Sequence, residues 1–243
     1  MDMVKDRGDA FYIFDPAQWN DGISAATSAI SSVDTNYAAA YYPWVKVLDD
    51  SVNLPTWVPP SVVIPGVIAQ NDRVAHEWFA PAGLNRGGLS NVLEAKTRLT
   101  HAERDLLYED RINPIASFPG QGVVVFGQKT LQAKPSALDR INVRRLLIRV
   151  KKFVASSSRY LLFENNTVAT RNRFLNIVNP YLESVQSNQG LTAFRVVMDD
   201  TNNTPDVIDR NQLVGQIFLQ PARSVEFIVL DFIVQPTGAS FPS

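Results

Sequence analysis

The sequence predicts an α/β protein with a mixed sheet flanked by helices, and three observations carry that reading. The chain opens on a strand, helix, strand pattern. Further on, short β-branched runs alternate with long amphipathic segments. Of its 243 residues, 45% are hydrophobic, enough to bury one large core or two modest ones.

The first strand is read at residues 11–14 (FYIF), followed by a segment capped near Asn20 or Asp21 and a second strand at 37–48. A unit of this kind favours parallel or mixed pairing beneath covering helices. It starts almost at residue 1, and this abruptness predicts a truncated chain. Pro55, Pro59, Pro60 and Pro65 mark a long exposed connection. A helix at 67–77 and a loop at 78–88 come next. Thr100-His101-Ala102-Glu103 has the form of a capping box, so a helix is placed at 100–110.

A second unit starts near Phe118, where the turn PGQG feeds a strand at 123–126. Helices are expected at 139–156 and 167–186, then a strand at 194–198, an acidic turn, and strands at 213–219 and 225–234. No internal repeat or low-complexity tract interrupts this series.

Composition narrows the function classes. Twenty-three basic against 24 acidic residues leave no global attraction to nucleic acid or to an anionic membrane. Cysteine is absent, which removes disulfides, thiol catalysis and zinc-thiolate sites. The charged N-terminus lacks the apolar core of a signal peptide, and no stretch approaches the roughly 18 apolar residues of a membrane span. A soluble, unexported protein without membrane insertion is expected.

Three enzyme-like patterns fail on their chemistry. Gly122 to Thr130 resembles a phosphate loop, but Gln128 displaces the required lysine, and the residues between the glycines read as a strand. The acidic run from Asp199 to Asp209 lacks the glycine and glutamate of a calcium loop, with Thr204 and Arg210 in those places. His76 and His101 lie in unrelated segments with no nucleophile or ligand spacing beside them. No catalytic, cofactor-binding or metal-binding residue is assigned, and no cofactor is expected.

One segment stands out by charge. Between Asp139 and Tyr160, Arg140, Arg144, Arg145, Arg149, Lys151, Lys152 and Arg159 face the single acid Asp139. On a helix, Val143, Leu146, Leu147, Val150, Phe153 and Val154 share one apolar face, while Ile141 and Ile148 fall among the cations. These isoleucines predict a docking surface for an acidic protein partner; the plainer reading is that the basic residues are a solvated face and the two isoleucines meet another helix of the same subunit. Nucleic acid is disfavoured, because no stacking aromatics accompany the cations.

The last strand is apolar on both sides: Val225, Phe227, Val229 and Ile233 on one, Ile228, Leu230, Phe232 and Val234 on the other. Such a strand is either central in its own sheet or paired with another chain.

Five blocks in one order, WFAPAGLNRG, INPIASFPGQGVVVFGQKT, LDRINVRRLL, FRVVMDDTNNTPDVIDRN and QPARSVEFIVLDF, resemble the contractile tail sheath proteins of T-even-type myophages. The resemblance covers most of residues 10 to 240. It implies a structural subunit in the virion tail, made in the host cytoplasm, that polymerises helically around the tail tube and contracts to drive the tube through the host envelope. It further implies the end of a central sheath domain at 1–114 and a C-terminal, tube-facing sheath domain at 115–243. The implied partners are neighbouring copies joined by strand exchange, the tail tube protein, and the baseplate and tail terminator proteins. Tube contact then falls to Arg144, Arg145, Ile148, Arg149 and Lys152, and inter-subunit pairing to Val225, Phe227, Val229, Leu230, Phe232 and Val234. Full-length members carry an N-terminal arm and protruding outer domains that are absent here. A soluble α/β enzyme and a monomeric binding module are the competing classes.

Overall fold

The fold is that of a computed structural model, which describes residues 1–49, 51 and 53–227. After a short helix α1 (Asp2–Arg7), strand β1 (Tyr12–Phe14), helix α2 (Ile23–Ile30) and strand β2 (Ala38–Tyr42) form the expected opening unit, with β1 and β2 parallel. The single strand expected at 37–48 is two strands: after Pro43 the chain enters β3 (Val45–Asp49), which belongs to another sheet.

The proline-rich stretch is ordered structure instead of an exposed connection. Strand β4 (Leu54–Val58) pairs antiparallel with β3, and Pro55 is tolerated because β4 is an edge strand. Helix α3 (Pro60–Val74) begins seven residues earlier than expected, with Pro60 in its first turn, where a missing N–H costs nothing. Its N-cap Pro59 offers no side-chain acceptor. Asp15 does so from a distant segment, accepting from Ser61 N at 2.9 Å and Ser61 Oγ at 2.5 Å.

Strand β5 (Val92–Ala95) completes the sheet β4-β3-β5. Helix α4 (His101–Glu109) carries the predicted capping box: Glu103 N donates to Thr100 Oγ1 at 3.3 Å, and Thr100 N donates to Glu103 Oε2 at 2.8 Å. The Thr100 N–H, and after it the Thr100 hydroxyl at 2.8 Å, donate to the Glu103 carboxylate and hold it below its ordinary pKa. Strands β6 (Ile112–Phe118) and β7 (Gly122–Val125) then join β1 and β2 in a four-stranded sheet of order β1-β2-β6-β7. Its first three strands are parallel and β7 is antiparallel.

Strand β2 shows why this sheet needs cover on both sides. Ala39 and Tyr41 enter one core with Val63, Ile64 and Val67 of α3, whereas Ala38, Ala40 and Tyr42 enter a second with Ala26 and Ile30 of α2 and Leu107 of α4. Asn113 is fully buried in β6. Its side chain donates to Ala40 O at 3.0 Å and Lys129 O at 2.8 Å, and accepts from Lys129 N at 2.7 Å, fastening the chain after β7 to the sheet.

The remaining elements are helix α5 (Ile141–Ser158), helix α6 (Val168–Ser187), strand β8 (Leu191–Val197), helix α7 (Pro205–Asp209) and strand β9 (Gln216–Pro221). A third core lies here, with Leu146 and Val150 of α5 against Phe174, Val178, Leu182 and Val185 of α6, roofed by the antiparallel β8-β9 ribbon. Helix α5 links the cores, because Ile141 at its start packs with the residues of α3 and β2.

Candidate assembly surfaces

Helix α5 divides its cations between two environments. In the first half they are bound inside the chain. Arg144 is only 3% exposed, its guanidinium lying 3.8 Å over the Tyr37 ring and donating to Asn36 Oδ1 at 3.2 Å. Burial lowers its pKa from the ordinary arginine value, and Tyr37 opposes that effect. Arg145, with its side chain 12% exposed, pairs with Asp72 near the end of α3 at 2.5 Å and donates to Glu77 O at 3.2 Å. The expectation that all the cations share one outward surface is therefore corrected. Two of the five tube-contact candidates, Arg144 and Arg145, hold α5 onto the body. Ile141, expected among outward cations, is fully buried.

The second half differs. Arg149 is 54% exposed and reaches Glu77 at 3.4 Å, a long and screened contact. Lys151, Lys152 and Arg159 are exposed, and Ile148 is half-buried. Lys152 acts weakly on Asp9, whose carboxyl is held low chiefly by Arg7. What remains outward is a basic patch of Arg149, Lys151, Lys152 and Arg159.

The other candidate surface is the β8-β9 ribbon and the segment after it. Phe194 pairs with Leu219 and Val196 with Ile217, and these four residues pack against the third core. Phe218, paired with Arg195, points outward and is 53% exposed. Among the described residues each strand of the ribbon has one open edge. Residues 222–227 lie outside regular secondary structure, so the strand expected from 225 does not begin there, and Val225 and Phe227 are both largely exposed. Val229, Leu230, Phe232 and Val234 lie outside the described residues. The acidic run after β8 opens on an Asx turn, with Asp199 Oδ1 accepting from Thr201 N at 2.9 Å, and ends in α7.

The family model described as phage tail sheath protein central domain matches residues 2–131, and that described as phage tail sheath C-terminal domain matches residues 133–235. The chain belongs to the phage tail sheath family. Tail sheath proteins of Enterobacteria phage T4 and Vibrio phage KVP40 are 40% and 41% identical to it over 92% and 91% of its length. The chain spans about a third of these curated relatives, 34% and 32% respectively. Among solved sheath structures, the contracted sheath complex of an extracellular contractile injection system superposes with a TM-score of 0.82 at 29% identity, over 92% of this chain and 63% of that one. The contracted helical sheath of the anti-feeding prophage gives 0.75 at 27%, over 92% and 61%. The α/β class expected from the sequence is thus the fold of contractile sheaths. In this sheath chain Ile115 lies inside β6, whereas the two family models meet at residues 131–133.

The acids that pair with the cations of α5, Asp72 with Arg145 and Glu77 with Arg149, carried no motif in the sequence.

Proposed function

We propose that this chain is the assembling body of a contractile tail sheath subunit, which polymerises helically around the tail tube and contracts to drive it through the host envelope. The observation that carries this reading is the two-stranded β8-β9 ribbon. Two strands alone make a marginal sheet, and strands from neighbouring copies would complete it by β-addition. Heterologous contacts of that kind repeat without closing, as a helical lattice needs. Tethering by backbone pairing lets compact bodies rotate and slide while remaining connected.

In this reading Val225, Phe227, Val229, Leu230, Phe232 and Val234 supply the exchanged strand. The tail tube protein meets Arg149, Lys152 and Ile148, and the baseplate and tail terminator proteins bound the lattice at its ends. The subunit is made in the host cytoplasm and resides in the virion tail; its work is mechanical, with no cofactor. The two-unit organisation, expected as 1–114 and 115–243, joins the end of a central sheath domain to a C-terminal, tube-facing sheath domain.

Reversing Arg149 and Lys152 together to glutamate in the full-length subunit tests the tube contact. Exposed charges contribute about 0 to 1 kcal/mol each, so the pair should raise the subunit concentration needed to assemble on purified tubes about tenfold and lower the melting temperature by no more than about 4 °C. Added salt should weaken the native contact in the same way. Normal assembly of the double variant would remove these residues from the tube interface.

A further inference from the structure

The chain holds a carboxylate in a built site that uses none of the exposed cations of α5. Glu226 sits with its side chain 16% exposed, and Arg140 grips it with two bonds, Nε to Oε1 at 2.5 Å and Nη2 to Oε2 at 2.9 Å. Tyr108 Oη donates to Oε2 at 2.9 Å and Gln128 Nε2 to Oε1 at 3.3 Å. Two residues earlier, Ser224 Oγ accepts from Gln128 Nε2 at 2.9 Å and from Asn142 Nδ2 at 3.4 Å. These donors come from α4, from the chain after β7, and from the start of α5. Gln128 and Asn142 are themselves buried.

We propose that Tyr108, Gln128 and Arg140 form a carboxylate receptor that holds segment 224–227 of the same chain, ties the two sheath units together, and fixes the point from which the residues beyond 227 continue.

Two features separate this from an incidental surface pair. The carboxylate takes four bonds from three side chains, a fork-to-fork arginine among them, and that geometry selects a carboxylate over a neutral amide. The contacts also alternate along the segment: Ser224 and Glu226 face the receptor, while Val225 and Phe227 are 80% and 78% exposed. The segment is therefore held by its polar side and presents its apolar side outward, along one wall of a cavity of about 600 Å³ that Phe79, Arg104 and Phe126 also line. The titration behaviour agrees. Burial pulls the Arg140 guanidinium down, yet Glu226 foremost, with Tyr108 and Asp139, leaves the pKa raised, while burial and the Glu226 charge both push the Tyr108 hydroxyl up.

The receptor goes beyond strand exchange, because it concerns where the segment is anchored and not what it pairs with. Its test is chymotryptic cleavage after Phe227 in the full chain, followed by mass spectrometry. Cleavage of this kind tracks the open population, so Glu226→Arg or Arg140→Glu should each accelerate it roughly tenfold or more. The double variant Arg140→Glu with Glu226→Arg should recover most of the resistance. A one-to-one mixture of the two single variants should not, because each lacks a complementary partner within its own chain. Resistance restored in the mixture would mean that the receptor takes the segment of a second copy, which overturns the proposal. Unchanged cleavage in both single variants would overturn it as well. If either reversal unfolds the chain, Tyr108→Phe removes one bond alone: faster cleavage supports the receptor and unchanged cleavage overturns it.

Discussion

Replacing Arg145 by glutamate should lower the unfolding free energy by about 2 kcal/mol, because it breaks a half-buried ion pair and the charge-assisted hydrogen bonds that go with it. The new carboxylate would stand against Asp72, now 2.5 Å from the guanidinium, and beside the Glu77 carbonyl at 3.2 Å, so an attraction becomes a repulsion in a poorly solvated place. Arg149→Glu, one turn along the same helix, should cost under about 1 kcal/mol, because its contact with Glu77 is long and more than half of the side chain is in water. Urea unfolding of both variants measures the difference. Equal effects would mean that α5 is not fixed to the body through Arg145. The contrast also decides which variants are fit for assembly experiments, since a reversal of Arg145 would confound docking with folding.

A methyl group at Gly87 should be comparably damaging. A Cβ there would lie 2.5 Å from Val125 O and 2.8 Å from both the nitrogen and the oxygen of Gly83, all of them backbone atoms that cannot swing aside. The same place carries the bonds that dock the loop onto β7: Gly83 N to Val125 O at 2.9 Å, Val125 N to Gly87 O at 2.8 Å, and Leu89 N to Val123 O at 2.9 Å. Gly87→Ala must open this ladder or strain it, at about 3 kcal/mol. Gly88→Ala, where a Cβ would meet nothing within 4 Å, is the matched control. Thermal unfolding should separate the two variants by several degrees, and coincident melts would contradict the close approach.

These positions show what sequence could and could not carry. The capping box at Thr100 and Glu103 was legible because its partners lie three residues apart. The start of α5 and the extent of α6 followed from apolar periodicity in the same local way. Strand β5 escaped notice because its partner is distant: Ala95 pairs with Val45. Helix α3 was started too late because Pro59 and Pro60 read as breakers, whereas the cap that makes them a helix start is Asp15, some 46 residues away. The cations of α5 were correctly gathered on a helix, but nothing near them foretold Tyr37 beneath Arg144 or Asp72 beside Arg145. Fold and family were thus readable from local pattern and ordered blocks, and the division of the basic face was not, since it is set by tertiary partners.

The β8-β9 ribbon is the surface through which this body is proposed to build a sheath. Cryo-electron microscopy of sheaths assembled from the full-length subunit, at a resolution that traces the backbone, tests this most directly. A strand from a neighbouring copy is expected to pair along the open edge of the ribbon, with Arg149 and Lys152 turned toward the tail tube. A sheath in which both edges of the ribbon face solvent, and copies meet through other surfaces, would contradict it.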